Sequence, residues 1–338
     1  MVIVESYSVA VLMCFVTMLC WGSWANTQKL ASKQWKFQLF YWDYSIGVLL
    51  LSLLAALTLG SVGEAGRSFV KDISQASIYC ILLAMLGGVI FNFANILLVG
   101  AIDIAGMSVA FPIGIGIALV EGVIVNYIYK PVGSPLVLFI GVAVIALAII
   151  LDAIAYKRLE GKKIANLTKG IVLSILCGIT MGLFYLLVAA SMSKEFAVLD
   201  EGKLGPYSAV FFFSVGLFIS NFLFNTIVML KPFSGEPVKP GDYFTKGNTK
   251  LHLVGILGGA IWCLGMSFNI IAAGKAGFAI SYGLGQGATM IAAFWGVFIW
   301  KEFKTAPAGT NKLLTLMFIL YLAGLSLIIW AMPAVENA

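Results

Sequence analysis

Glu121 stands in the run Ile117-Ala118-Leu119-Val120-Glu121-Gly122-Val123, a carboxyl among apolar neighbours with no cation nearby in sequence. Polar groups inside a hydrocarbon slab are costly, so each one is a functional candidate. A carboxyl held there can take up and release a proton, or it can hydrogen-bond a neighbouring helix in its neutral form. Asp43, in Tyr41-Trp42-Asp43-Tyr44, is a second acid of this kind, although its aromatic neighbours also suit a membrane-interface belt. Asn92 and Asn95 lie three residues apart, on one helix face with Gly88 and Val99. Two amides on one face can grip the hydroxyls or ring amides of a neutral solute, or tie two helices together. Gln286 sits in Tyr282-Gly283-Leu284-Gly285-Gln286-Gly287, where glycines weaken the helix and let another backbone approach. Tyr282, Trp21, Trp262 and Asn269 complete the candidate substrate-binding set, the aromatics because they stack on sugar faces or flat heterocycles. Pro112 interrupts the apolar run at the position matching Gly283, so paired breaks mark the expected cavity wall.

Other chemistries lack their residues. The Gly-rich segment Leu86-Gly87-Gly88 carries no Gly-Lys-Ser/Thr to cradle phosphates. Cys14, Cys20, Cys80, Cys177 and Cys263 lie in apolar segments with no CxxC or His pairing, and read as small buried residues. His252, the one histidine, supports neither a metal site nor a Ser-His pair. No cofactor and no metal is expected, and an enzyme or a primary pump is a poor reading. A solute-sensing receptor would usually carry a signalling domain, for which short loops leave no room.

These residues need a scaffold, and composition dictates its class. The 338 residues are 61% hydrophobic and only 11% charged, with a mean hydropathy of +1.01. A soluble domain carries about 25% charged residues. Apolar runs long enough to cross a bilayer recur throughout, so the chain is expected to be an all-α integral membrane protein. Ten spans fit, at roughly 6–26, 38–60, 78–101, 105–128, 134–156, 170–191, 207–230, 252–274, 277–300 and 312–332. The first lacks a basic leader and an A-x-A-like exit, and is expected to remain as a span.

The stretch from Gly87 to Lys130 recurs, without a gap, from Gly258 to Lys301. Gly87-Gly88 falls on Gly258-Gly259, Ala105-Gly106 on Ala276-Gly277, Gly114-x-Gly116 on Gly285-x-Gly287, and Lys130 on Lys301. The chain therefore divides into a first five-helix repeat (1–156), a basic linker (157–169) and a second five-helix repeat (170–338). Five is odd, so the two repeats must be inverted relative to each other. A weaker match pairs Tyr44-Ser45 with Tyr207-Ser208, the longer loop Lys231 to Lys250 absorbing the change of offset.

Loop cations set the orientation. Fifteen fall on one side (Lys29, Lys33, Lys36, Lys157, Arg158, Lys162, Lys163, Lys169, Lys231, Lys239, Lys246, Lys250, Lys301, Lys304 and Lys312), against six on the other. The positive-inside rule then places both termini outside and the central loop in the cytoplasm, in a multi-pass cell (inner) membrane protein. The net charge of +6 follows from those loops and calls for membrane lipid, not nucleic acid, as a partner.

The motifs resemble the drug/metabolite transporter superfamily, specifically its glucose/ribose porter and ureide permease branches. Trp21-Gly22-Ser23 with Lys29-Leu30 is similar to the first-span signature of the sugar porters. Phe111-Pro112-Ile113-x-x-Gly116-x-x-Leu119-Val120 is similar to their fourth-span M-P-I-S-T-G-x-Q-L-V, and Leu284-Gly285-Gln286 to their ninth-span S-L-S-Q. Asp43-Tyr44-Ser45 resembles the L-D-Y-S of the ureide permeases. Gly87-Gly88 with Asn95, and Asn126-Tyr127 with Phe294-Trp295-Gly296, resemble them too. The sugar porters' fourth-span Gln is Ala118 here, and a ureide-permease acid falls at Phe111. The resemblance implies a secondary active permease importing a small neutral polar solute by alternating access. The first expectation is sugar transport, of a monosaccharide such as ribose or glucose, by symport with protons carried by Glu121 or Asp43. A ureide or nucleobase importer is the alternative, and a drug or metabolite exporter a further one.

Overall fold

The computed structural model describes residues 1–31, 34–159, 166–233 and 235–332. Lys33, Lys162 and Lys163, and with the latter two residues 160–165 of the 157–169 linker, lie outside the described residues. Among the described residues, ten helices are long and apolar enough to cross a membrane. They are α1 (Tyr7–Ala31), α2 (Phe37–Leu57), α3 (Ile78–Ala105), α4 (Phe111–Tyr129) and α5 (Pro135–Leu159), then α6 (Leu167–Ser191), α7 (Pro206–Leu230), α8 (Thr249–Ala276), α9 (Phe278–Ile299) and α10 (Thr310–Trp330). A lipid environment offers no hydrogen-bond partners, so the backbone must satisfy itself, and helices do so within one segment. The starts carry capping residues: the Ser6, Ser77 and Asn248 side chains accept from the backbone N–H groups of Val9, Cys80 and Leu251.

The sequence repeat has a conformational imprint. Gly106 and Gly277 end α3 and α8 with φ of 78° and 80°, a left-handed turn that a side chain would strain. That turn reverses the chain within a residue or two in both halves. The packing repeats as well. A Cβ on Gly88 would overlap the Phe213 carbonyl of α7, and one on Gly259 would overlap the Tyr44 carbonyl of α2. Gly47 meets the backbone of Ile256, and Gly216 that of Met85, in the same manner. Small residues let helices approach to backbone contact where no hydrophobic force drives association.

These contacts correct the expected pairing of α2 with α7. Tyr44 corresponds to Phe213 and Gly47 to Gly216, both 169 positions on, and not Tyr44 to Tyr207. The contact glycines set the register, whereas Tyr207 lies at the start of α7, where its hydroxyl donates to the Val2 carbonyl at 3.0 Å. The offset therefore changes by two positions across the Lys231 to Lys250 loop, not by eight.

Two networks define the faces of the bundle. On one, the Met1 ammonium donates to the Ala65 carbonyl at 2.7 Å, and Arg67 binds Asp72 together with the carbonyls of Leu199, Asp200 and Lys203. Ala331 belongs to this terminal face through the Ser134 N–H. On the opposite, basic face, Lys29 pairs with Glu302 at 2.6 Å and Lys36 donates to the Glu236 carbonyl.

Candidate functional site

A cavity of about 230 Å³ lies inside the bundle, between the two faces. α1 contributes Trp21 and Gln28, α3 Phe91 and Asn95, α6 Met181 and Phe184, α8 Trp262, and α9 Gln286 and Thr289. Trp21 and Trp262 stack at 5.9 Å and 13°, and the Trp21 indole N–H donates to the Trp262 carbonyl at 3.2 Å. Phe91 tilts against Trp262 with ring centres 4.4 Å apart. Asn95 donates to the Tyr41 hydroxyl at 3.0 Å. No Asp, Glu, Lys, Arg or His is among the described side chains lining this cavity. An aromatic slot with neutral amides fits an uncharged, ring-shaped polar molecule.

Backbone breaks present Gln286 to this space. α9 is interrupted at Gln286-Gly287 by three-residue turns, the Gly287 N–H donating to the Leu284 carbonyl and the Thr289 hydroxyl to the Gln286 carbonyl. The matching place in α4 is the end of a π-helical turn, Phe111–Ile115, opened by Pro112. The expected paired interruptions in the fourth and ninth spans are therefore present. Phe111 and Ile115 line the cavity, opposite Gln286 in the repeat.

The expected substrate-binding residues divide into two groups. Trp21, Asn95, Trp262 and Gln286 line the cavity, while Asn92, Tyr282 and Asn269 do not. Three residues along a helix turn a side chain by about 60° off its partner, enough to move Asn92 onto the α7 side. There its amide donates to the Ser220 hydroxyl at 2.8 Å and the Leu217 carbonyl at 3.3 Å. The Tyr282 hydroxyl donates to the carbonyls of Ala118 and Met181, which ties α9 to α4 and α6. Asn269 donates to the Ser281 carbonyl at 2.7 Å. With Phe184 and Tyr185, whose hydroxyl meets that of Ser281 at 3.0 Å, these residues pack a closed aromatic layer toward the terminal face. Toward the basic face the space continues. A polar cavity of about 210 Å³ shares Gln28 and Val99 with the first, and Lys36, Asp103 and Glu236 line it.

The two acids expected to carry protons both stand apart from the cavity. Glu121 lines an open groove between α4 and α5 among Pro112, Ile117, Ile124, Ala146 and Ile150. Asp43 is fully buried near the basic face and accepts from the Trp35 indole at 3.0 Å, from His252 Nδ1 at 2.9 Å and from the Tyr243 hydroxyl. Burial pushes the Tyr243 phenol above its ordinary value, and its bond to the Asp43 carboxylate adds to this, so the phenol remains a donor. His252, in the first turn of α8, thus finds a carboxylate across the bundle. Phe91, Phe184, Gln28 and Thr289 are cavity residues the sequence reading passed over. Phe91 and Gln28 were within reach of it, since each lies a short helical spacing from Asn95 or Trp21.

The ureide permease family model matches residues 40–169 and 157–331. "Ureide permease 1" of Arabidopsis thaliana is 23% identical over 97% of this chain and 98% of its own length. "Ureide permease 4" of the same plant is 22% identical over the same shares. "Probable ureide permease A3" of Vigna unguiculata is 29% identical over 44% of this chain and 41% of its own. A solved crystal structure of an 18% identical protein superposes over 95% of this chain and 96% of its own with a TM-score of 0.59, a likeness of fold. Ten apolar spans, an uncharged aromatic cavity and a family match over most of the length converge, and this chain belongs to the ureide permease family of membrane transporters.

Proposed function

We propose that this chain is a secondary importer of a small, neutral, amide-bearing ring of the ureide or nucleobase class, coupled to protons and working by alternating access. The observation that carries it is the cavity wall: a stacked Trp21–Trp262 pair beside the neutral amides Asn95 and Gln286, with no charged side chain among the described lining residues. A flat ring adds to the stack while its N–H and C=O groups meet the amides. The names of the curated relatives support the same class. Two inverted repeats, 1–156 and 170–338, would rock around this site, the basic face being cytoplasmic and the terminal face outside.

A monosaccharide is the second reading, because Trp21 and Trp262 can also stack on a sugar face. Uptake of radiolabelled allantoin, uracil, ribose and glucose into cells expressing this chain, with and without a protonophore, separates the two. Protonophore-sensitive allantoin or uracil uptake is the expected result. Ribose or glucose uptake in its place would move the substrate to the sugars with the fold unchanged. Uptake indifferent to the protonophore would remove the proton from the cycle.

A further inference from the structure

A second polar site lies between α5 and α10, outside the cavity and outside every motif that marks it. Asp152 of α5 is 6% exposed, and its Oδ1 has no hydrogen-bond partner among the described residues. The hydroxyl of Tyr321 on α10, fully buried, is likewise without one. The two orphans stand on helices in close contact, a Cβ on Gly141 of α5 meeting the Gly324 carbonyl of α10 and one on Gly324 meeting Ile145, and the Tyr321 phenol feels both the charge of Asp152 and the hydroxyl of Thr289. Thr289 lines the substrate cavity and donates to the Gln286 carbonyl at 2.9 Å. On its other side Asp152 feels the charge of Glu302. Glu302 accepts from the Tyr156 hydroxyl at 3.2 Å and from the Lys29 ammonium at 2.6 Å, and its side chain is 32% exposed on the basic face. Polar groups therefore stand at intervals between the cavity wall and solvent: Thr289, Tyr321, Asp152, Glu302.

Leaving a carboxylate oxygen and a phenol unpaired in a buried place is costly, and each such pair needs an explanation. A proton supplies one. Bound to Oδ1, it makes Asp152 neutral and removes the cost of an unpaired carboxylate in a buried place. The other titratable groups around it fit that role. Tyr156 is on its own helix, Tyr321 comes from α10, and Glu302 approaches with Lys29 of α1 balancing its charge. Glu121 of α4 lies along the same helix but in the open groove beside Ala146 and Ile150.

We propose that Asp152 is the proton-binding site of the transport cycle, linked to the solute through Tyr321 and Thr289 and to the cytoplasmic solvent through Glu302. This rests on the reading of the chain as a proton-coupled importer. The step is a proton transfer alone: a hydronium gives its proton to Asp152 Oδ1, one O–H bond forming as another breaks, and the reverse step releases it beside Glu302. Asp43 and Glu121 have no part in it. The three donors on Asp43 already satisfy its carboxylate, and Glu121 lines a groove that shares no residue with the cavity.

The test uses the full chain in liposomes and has two readouts. Labelled allantoin accumulation driven by a pH gradient is compared with allantoin exchange in its absence, and pH-difference infrared spectra record the carboxyl C=O stretch without any solute. In Asp152→Asn the ratio of accumulation to exchange falls by roughly tenfold or more, and the protonated-carboxyl band of the wild type disappears. An unchanged ratio, or a band that persists, overturns the proposal. Should the wild type transport none of the solutes, the import reading fails on its own and the infrared band still decides the proton site. Should Asp152→Asn fail to fold, Asp152→Glu serves: it keeps a carboxyl and shifts the band, and an unshifted band overturns the proposal.

Discussion

The Lys29 ammonium lies 4.3 Å from the centre of the Trp300 ring and so joins the end of α1 to the end of α9 on the basic face. Its counterpart on the terminal face is Lys194, 4.7 Å from the ring of Tyr129, which joins α6 to α4. Tyr129 and Trp300 are 171 positions apart, the spacing of the sequence repeat. Each junction is reinforced by an ion pair next door, Lys29 with Glu302 and Glu195 with Lys130. The 171-residue spacing thus places a matching latch at each face, joining α1 to α9 on one and α4 to α6 on the other.

Weakening one latch is expected to favour opening at its own face. An exposed ion pair contributes about 0.2–1 kcal/mol and a cation–π contact about 0.5–1. Lys29→Ala, which loses both contacts, is therefore expected to shift the balance toward the basic-face-open state by roughly three- to thirtyfold, and Lys194→Ala, which loses the cation–π contact, toward the opposite state by roughly two- to fivefold. Thiol labelling of an Asn95→Cys cavity probe from each side measures the shift. Like shifts from both variants would refute the reciprocal arrangement.

Trp262 is expected to matter through its ring. Base-like rings stack on aromatics at about 1–3 kcal/mol each, so Trp262→Ala is expected to raise the KM for allantoin or uracil by roughly ten- to a hundredfold. Trp262→Phe is expected to recover most of this, because a stacking face remains. Concentration-dependent uptake, with detergent melting curves to separate folding from binding, provides the check.

Gly88→Leu and Gly259→Leu are expected to destabilise the bundle alike, by about 1–3 kcal/mol or more, since each side chain meets backbone and not a yielding side chain. Gly116→Ala is the comparison, because its Cβ would meet nothing within 4 Å. Melting temperatures in detergent should fall for the first two and hold for the third. A large loss at Gly116 would contradict the packing described here.

Glu121→Gln is expected to leave uptake within about twofold of wild type and still sensitive to a protonophore, because the groove it lines is apart from the cavity. Asp43→Ala is expected to cost about 3–5 kcal/mol, since it strands the buried donors Trp35, Tyr243 and His252. Asp43→Asn keeps an acceptor and should retain more of the stability. Loss of protonophore sensitivity in Glu121→Gln would return that residue to the proton path.

Hydrophobicity and the 171-residue repeat were enough to specify ten spans, the Gly106 and Gly277 turns and the interruptions at Pro112 and Gln286. These features are local: bilayer thickness fixes helix length, and only glycine tolerates the turn. Trp21, Asn95, Trp262 and Gln286 were legible as cavity residues for a related reason, since polar and aromatic groups stand out in an apolar background. What sequence left open was the direction each side chain faces. Asn92 differs from Asn95 by a fraction of a helical turn, and that rotation hands it to Ser220. Asp43 finds His252 from 209 positions away, and Gly141 and Gly324 bring α5, with Asp152, against α10. Asp152 itself was visible in Leu151-Asp152-Ala153 as an acid inside a span, yet nothing beside it in the sequence predicts its neighbours. The register of α2 on α7 was decided in the same way, by glycines meeting backbone on other helices. Pairings between distant helices depend on rotation and depth in the bundle, which only the assembled tertiary structure supplies.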